Sequence, residues 1–190
     1  MWNLQDGRGD NKRGATAVAF DGPASIAYHH IMPAPSFTIE AVRDPEDLKA
    51  TIALFYAYAD FLGVNLTYQK FEAEMASMPG HYAPPRGELL LARGADGTAL
   101  GCVGLRPLED GTCEMKRLYV TPEARGLKLG QALADAIVTE ARRIGYPEMR
   151  LDTLPKLKAA IALYQKMGFR RVAAYYDTPI VGTMFFSLKL

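Results

Sequence analysis

The chain contains 190 residues, with 22 basic and 21 acidic side chains and a net charge of +1 at pH 7. This balance gives no support to a nucleic-acid partner, because phosphate backbones are bound by clustered positive charge. We expect no membrane association and no signal peptide, since the sequence has neither an apolar run of membrane-spanning length nor an apolar N-terminal core. The length suits one domain with a real hydrophobic core.

The cysteine and histidine content argues against disulfide and metal chemistry. The two cysteines, Cys102 and Cys113, can form neither a disulfide framework nor a four-cysteine metal site. We expect buried thiols in a reducing compartment, hence a cytoplasmic location, in neighbouring strands but not opposite one another. No metal is predicted, because His29 and His30 have no third ligand nearby.

Residues 1–35 differ from the rest of the chain. They contain several glycines and prolines and no sustained hydrophobic period, which is typical of an irregular tail or arm. Such a segment could serve as a lid or a dimer contact, or as a flexible arm. Alternatively, the start is over-called and Met32 is the true start codon. A single domain is predicted over residues 36–190.

Regular elements are predicted from residue 37 onward, in the order β-α-α-β-β-β-α-β-α-β-β. Asp44 suits a helix cap, Pro45 suits the first helical turn, and Gly63 suits the end of that helix. The fold class is therefore α/β (α+β), with about seven strands and about four helices. The other elements are predicted at 37–43 (strand), 68–78 (helix), 88–93, 100–105 and 113–120 (strands), 128–143 (helix), 148–153 (strand), 157–167 (helix) and 183–190 (last strand).

Residues 125–130 join a predicted strand to a predicted helix and read Arg-Gly-Leu-Lys-Leu-Gly. The start of a helix offers free backbone N–H groups and the positive end of a dipole, which together bind phosphate. The turn is not a P-loop, because Lys128 is followed by leucine instead of serine or threonine. Its two glycines, four residues apart, also differ from the dinucleotide fingerprint.

Two motifs resemble those of the GNAT superfamily of N-acetyltransferases. The segment Leu118-Tyr119-Val120-Thr121-Pro122, followed by residues 125–130, is similar to the loop that binds the acyl-CoA pyrophosphate, with Lys128 in place of the usual middle glycine. Residues 160–169 are similar to the family's C-terminal signature, with Leu157 in place of the usual asparagine. The resemblance covers about residues 36–190 and implies a GNAT-like domain with a twisted mixed sheet.

The resemblance implies that acetyl-CoA is the acyl donor. It also implies that the strand before the loop leaves its neighbour at a bulge, so that freed N–H groups face the thioester. The residues that the resemblance assigns to cofactor binding are Leu118, Tyr119, Val120, Arg125, Gly126, Leu127, Lys128, Leu129, Gly130 and Lys166.

Direct attack of an amine on the thioester, in a ternary complex, needs an acid and a base. Tyr164 is predicted to protonate the leaving thiolate, because a phenol is protonated at neutral pH. Glu114 is predicted to accept the amine proton through water, and Asp152 is the second candidate. Alternatively, Glu114 is a solvated edge residue or is salt-bridged to Lys116 or Arg117. A cysteine nucleophile is disfavoured, because the sequence offers no base to activate it.

The acceptor is predicted to be a primary amine held by aromatic rings beside carboxylates, since such rings attract cations. A small-molecule amine is favoured, with a protein lysine or N-terminus as an alternative acceptor. An acyl-CoA-binding sensor or assembly module without turnover is a different class of function. A homodimer is left open as the oligomeric state. The candidate acceptor residues are Tyr56, Tyr58, Tyr175 and Tyr176.

Overall fold

The computed structural model describes residues 37–63 and 70–190. The prediction of an irregular tail at 1–35 lies outside these residues and stays a prediction. The described strands are β1 (Phe37–Ala41), β2 (Glu88–Gly94), β3 (Ala99–Pro107), β4 (Cys113–Val120), β5 (Glu148–Thr153), β6 (Arg170–Val172) and β7 (Met184–Lys189). The described helices are α1 (Pro45–Leu62), α2 (Phe71–Ala76), α3 (Leu129–Ile144) and α4 (Lys158–Lys166), with short 3-10 turns at Gly80–Tyr82 and Pro122–Ala124.

The strands form one sheet in the order β1-β2-β3-β4-β5-β7-β6. β4 and β5 run parallel, while the other neighbouring strands are antiparallel. The parallel pair is joined through α3, as a parallel connection requires. This arrangement confirms the predicted fold class, the mixed sheet and the order of the elements.

The ends of α1 follow from local sequence. Asp44 caps the helix, because its Oδ1 accepts a hydrogen bond from the backbone N–H of Asp47 at 2.9 Å. Gly63 ends it in the left-handed conformation, at φ 55°. The helix predicted at 68–78 is shorter in the structure, since α2 starts after Lys70, which is left-handed at φ 54°, and stops before Pro79.

Apolar side chains pack on both faces of the sheet. On one face, Leu133 and Ile137 of α3 pack with Met115 of β4. On the other face, Phe55 of α1 and Phe71 of α2 pack in a second cluster that includes Tyr119 of β4. β4 therefore contributes to both clusters and lies at the centre of the sheet.

The cysteines behave as predicted from the strand pattern. Cys102 pairs with Tyr119, and Cys113 pairs with Pro107, so the two thiols are not opposite one another. Both are free and buried. Burial raises the pKa of Cys113 to about 12 and also raises that of Cys102, so neither thiol is poised to act as a nucleophile.

A bulge interrupts β4 near Arg117, and this bulge shapes the candidate site described below. Cys102 of β3 pairs with Tyr119, but Gly104 pairs with Lys116, so β4 has one extra residue between these pairs. Arg117 takes the left-handed conformation there, at φ 57°. Beyond the bulge Leu118 packs on the α3 side and Tyr119 on the α1 side, while Arg117 itself contacts Phe71 of α2.

Candidate active site

The gap between β4 and β5 is the main opening in the sheet. Within the described chain, β4 pairs with β5 only at Cys113 and Glu114. From Met115 onward, the edge of β4 that faces β5 has no strand partner among the described residues, although its other edge stays paired with β3. Backbone N–H groups released in this way are available to a ligand.

Two adjoining cavities lie at this gap. The first, which we call the outer groove, has a volume of about 400 Å³, and the second, which we call the inner cavity, has about 50 Å³. Both are lined by Tyr58, Leu118, Leu157 and Ala160, so they adjoin along one wall. The outer groove is also lined by Phe61, Tyr119, Val120, Arg125, Lys156, Lys158 and Ala159.

The loop at 125–130 lies at the start of α3, as predicted. Gly126 has φ 86°, and Lys128 is the residue before the helix, with φ 59° and ψ 15°. Lysine thus adopts the left-handed conformation that glycine takes at lower cost, so the departure from the family pattern leaves a glycine-like backbone. The guanidinium of Arg125 lies over the Phe61 ring, 5.1 Å from its centroid, at the side of the outer groove.

Tyr164 lines the inner cavity from α4. Its ring packs against Phe169 and Phe186, with centroids 5.8 and 6.5 Å away. Burial raises the pKa of Tyr164, and the nearby Tyr58 and Asp152 add to the effect. The phenol therefore keeps its proton at neutral pH.

A line of alternating charges crosses three strands. Arg106 of β3 binds Glu114 of β4 at 2.7 Å, Lys116 of β4 lies 3.7 Å from Glu114, and the same ammonium binds Asp152 of β5 at 2.9 Å. Burial opposes ionisation of Asp152, but the charge and hydrogen bond of Lys116, with a hydrogen bond from Tyr176, outweigh it and lower the pKa of Asp152. Lys116 and Asp152 both line the inner cavity.

Glu114, predicted as the base, is held inside this line of charges. One carboxylate oxygen accepts from Arg106, and the other accepts from the Tyr175 hydroxyl at 2.7 Å. Its side chain is 1% exposed. As far as the described residues go, the lining of the inner cavity includes Asp152 but not Glu114.

Arg117 lines the inner cavity next to Lys116, a position that the sequence pattern did not indicate. Its Nη2 donates to Glu74 of α2 at 2.9 Å, and its guanidinium lies 5.0 Å from the centroid of the Phe71 ring. In a regular strand the two neighbours would face opposite sides of the sheet. The bulge is what turns both toward the same side, and the adjacent basic pair Lys116-Arg117 within a mostly apolar strand was its one sequence signal.

The four predicted acceptor tyrosines are placed differently. Tyr58 lines both cavities. Tyr175 and Tyr176 pack on Phe185 and bond to Glu114 and Asp152, so they support the line of charges. The structure does not bring Tyr56 to the cavities, because it is 40% exposed and donates to Glu72 at 3.1 Å.

Four of the ten predicted cofactor residues line the outer groove, namely Leu118, Tyr119, Val120 and Arg125. Residues 126–130 are not in its lining but follow Arg125 into α3, and Lys166 lies elsewhere. It lines a separate surface groove of about 300 Å³ with Gln131, Asp135 and Arg142 of α3. In the ranges that the structure describes, no group of three or more histidine, cysteine, aspartate or glutamate side chains could hold a metal ion. Nor is any helix in those ranges long and apolar enough to cross a membrane.

The fold is similar to those of solved acetyltransferases. An acetyltransferase from Streptococcus agalactiae superposes with a TM-score of 0.67 at 19% identity, over 82% of this chain and 99% of that chain. A protein from Salmonella typhimurium, solved with its cofactor acetyl-CoA, superposes with a TM-score of 0.59 at 21% identity, over 81% of this chain and 94% of that one. These similarities show that the molecule has an acetyltransferase fold.

Sequence comparison identifies the family. The profile of the Acetyltransferase (GNAT) family matches residues 52–169. A protein named an uncharacterised N-acetyltransferase in Schizosaccharomyces pombe is 42% identical over 161 residues, which cover 84% of this chain and 99% of that protein. The chain therefore belongs to the GNAT family of acetyltransferases, as the two motifs indicated, and is an acyltransferase. Membership supports acetyl-CoA as its co-substrate.

Proposed function

We propose that this protein transfers an acetyl group from acetyl-CoA to the primary amine of a small molecule, by direct attack within a ternary complex. The observation that carries the proposal is the separation of β4 from β5 beside Tyr164. An edge of β4 that has no strand partner among the described residues and the phenol of Tyr164 lie at adjoining cavities. A protein lysine or N-terminus is the alternative acceptor. The charged side chains in the lining of the inner cavity, Lys116, Arg117 and Asp152, suit a small polar molecule.

The residues of the outer groove fit acetyl-CoA. The loop at 125–130 and the start of α3 offer N–H groups to the pyrophosphate, with Arg125 beside them. Lys156 and Lys158 add positive charge on the α4 side of the groove, next to Leu157, where the family usually has asparagine. The apolar wall of Phe61 and Leu118 suits the pantetheine chain. When bound, acetyl-CoA supplies the thioester carbonyl and the leaving thiolate.

Three groups of this chain then serve acyl transfer. Of the three predicted residues, Leu118 and Val120 supply the N–H groups that polarise the carbonyl. Strand alternation turns their N–H groups to the open edge of β4, whereas that of Tyr119 points to β3, like that of Thr121, which donates to Leu100. One such donor is worth about 3–4 kcal/mol in the transition state. Tyr164 gives its proton to the thiolate, and solvent restores it. The glycine-like backbone at Lys128 supports a cofactor loop that still binds acetyl-CoA.

The two carboxylates are assigned different tasks. Asp152 lines the inner cavity, so we place the ammonium of the acceptor beside it, with its proton leaving through water. Glu114, the base predicted from sequence, takes a positioning role in this proposal, because its side chain is fully buried and is not in the lining of the inner cavity. The base role of Glu114 is the alternative that mutation tests.

Thiol release from acetyl-CoA, measured with a panel of primary amines, tests the proposal. We expect amine-dependent release, and calorimetric binding of acetyl-CoA and desulfo-CoA but not ATP. Asp152→Asn should reduce turnover more than Glu114→Gln. Acetyl-CoA binding without release in the presence of any amine would favour the sensor, and the reverse order of the two variants would return the base role to Glu114.

A further inference from the structure

We propose that the acceptor carries a carboxylate and that Arg117 binds it, so that the substrate is an amino acid or a closely related amino carboxylate. This inference rests on the proposed function and specifies the substrate class of the same site. It places the ammonium group at Asp152 and the carboxylate group at Arg117, both in the lining of the inner cavity.

The first observation is the unused donor of Arg117. Its side chain is 3% exposed, and its Nε is buried without a hydrogen-bond partner among the residues that the structure describes. Among the described residues, no other buried side-chain nitrogen or oxygen atom lacks a hydrogen-bond partner. Buried polar groups almost always find partners, so an unsatisfied donor beside a cavity points to an acceptor atom that a ligand brings.

The second observation is the way in which Arg117 is held. Glu74 accepts from Nη2 of Arg117 at 2.9 Å, and the Tyr82 hydroxyl donates to the other carboxylate oxygen of Glu74 at 2.5 Å. Phe71 supports the guanidinium plane from the side. The guanidinium is thus fixed in direction while its Nε–H has no partner among the described residues. A planar arginine so held suits a planar carboxylate better than it suits a neutral group.

The third observation is the backbone of Arg117. A left-handed φ of 57° is unfavourable for arginine, and the bulge uses it to turn this side chain toward Glu74 and the cavity. Strain of this kind is concentrated at functional sites. A purely structural ion pair with Glu74 would not require the side chain to lie in the lining of the cavity next to Lys116.

The charges beside the cavity suit a zwitterion. Lys116 and Arg117 offer positive charge, and Asp152 offers negative charge. An amine without a carboxylate would satisfy Asp152 alone and leave the Arg117 donor unpaired. A site with a buried polar group discriminates strongly against ligands that cannot pair with it.

The test compares matched acceptors. Thiol release is measured with the twenty proteinogenic amino acids, with their α-carboxamides and with the amines that lack the carboxylate. The variant Arg117→Lys keeps the positive charge for Glu74 but removes the Nε–H. Arg143→Lys, on the exposed side of α3, is the matched control, because Arg143 is 64% exposed and pairs only with Glu140 among the described residues.

We expect at least one amino acid to exceed its amide tenfold or more in kcat/KM. In Arg117→Lys that preference should fall at least tenfold, through a higher KM for the amino acid, with an unchanged KM for acetyl-CoA. Arg143→Lys should behave as the wild type. Calorimetry of the preferred amino acid in the presence of desulfo-CoA should show the same loss of affinity without turnover.

Equal use of acids, amides and amines by an enzyme that binds and consumes acetyl-CoA overturns the carboxylate inference and leaves the proposed function standing. A preference for acids that survives in Arg117→Lys also overturns it. If acetyl-CoA neither binds nor reacts, both fail. Thermal unfolding of each variant distinguishes loss of the site from loss of the fold.

Discussion

The outer groove and the inner cavity adjoin but are built differently. The groove depends on backbone, on the start of a helix and on apolar side chains, with its basic groups at the sides. The cavity depends on buried charges from three strands and a helix, each held by another side chain. The outer groove therefore resembles a general cofactor site, while the inner cavity is expected to determine which acceptor this chain uses. Mutations should affect the two regions in separable ways.

The largest effect is expected from removing a charge behind the inner cavity. Glu114→Ala leaves Arg106 and Lys116 without their shared carboxylate and Tyr175 without its acceptor. Breaking a buried ion pair on one side costs about 3 kcal/mol of unfolding free energy or more. Urea unfolding measures this loss. Glu114→Gln, which keeps one of the two acceptor oxygens but not the charge, should lose less, and a loss below about 0.5 kcal/mol in Glu114→Ala would show that the charges are effectively solvated.

The next largest effect is expected from Tyr164→Phe, which should lower the rate of acetyl transfer. The variant keeps the ring contacts with Phe169 and Phe186 and removes the hydroxyl. We expect kcat to fall about 100-fold, since general acids contribute 10²–10⁴-fold. The calorimetric affinity for acetyl-CoA should stay within about twofold, because the phenol acts on the leaving group and not on the ground state. Equal losses of affinity and rate would mean that the hydroxyl is structural.

The outer groove is the target of Gly130→Asp. A Cβ at Gly130 would meet only Val120 Cγ2, at 3.7 Å, so a Cβ fits there without a clash among the described residues. The added carboxylate lies in the first turn of α3 and repels the pyrophosphate. We expect about a tenfold weaker affinity for acetyl-CoA, or about 1.4 kcal/mol. Gly130→Ala is the matched control and should bind normally. Unchanged affinity in Gly130→Asp would contradict the proposal that this loop binds the pyrophosphate.

Asp152 links the inner cavity to the pH dependence of stability. Its pKa is lowered in the folded protein, so the ionised carboxylate contributes stability above the unfolded pKa of about 3.9. That contribution is lost as the pH falls through the lower, folded-state pKa. The stability difference between wild type and Asp152→Asn should therefore be constant near neutrality and shrink below about pH 4. Thermal unfolding between pH 3 and 7 checks this, and a difference that grows on acidification would contradict the pairing with Lys116.

The contrast between the two regions also explains what the sequence could predict. Hydrophobic period, caps and turns are local, so the order of elements and the ends of α1 were predictable from residues such as Asp44 and Gly63. The loop at 125–130 was predictable for the same reason. The inner cavity depends on a bulge that turns Arg117 beside Lys116 and on contacts between residues far apart in the chain, such as Glu114 with Tyr175. A one-residue shift in a strand reverses the direction of side chains, so alternation alone could not have placed them.

The smallest effect is expected where the chain departs from its family within the outer groove. Lys128 is left-handed, at φ 59°, and a lysine there costs about 1 kcal/mol relative to a residue without Cβ. Lys128→Gly relieves that cost but gives the unfolded chain more freedom, so we expect a net gain below about 1 kcal/mol in unfolding free energy.

The same change removes an ammonium beside the phosphate loop. Affinity for acetyl-CoA should then fall about two- to fivefold at low salt and converge with the wild type at high salt, because the interaction is screened. Lys128→Ala keeps the backbone cost and removes the charge, so it should lose affinity equally without gaining stability. If Lys128→Gly instead bound acetyl-CoA more tightly at every salt concentration, the backbone conformation of Lys128, and not its charge, would limit the affinity of the outer groove for acetyl-CoA.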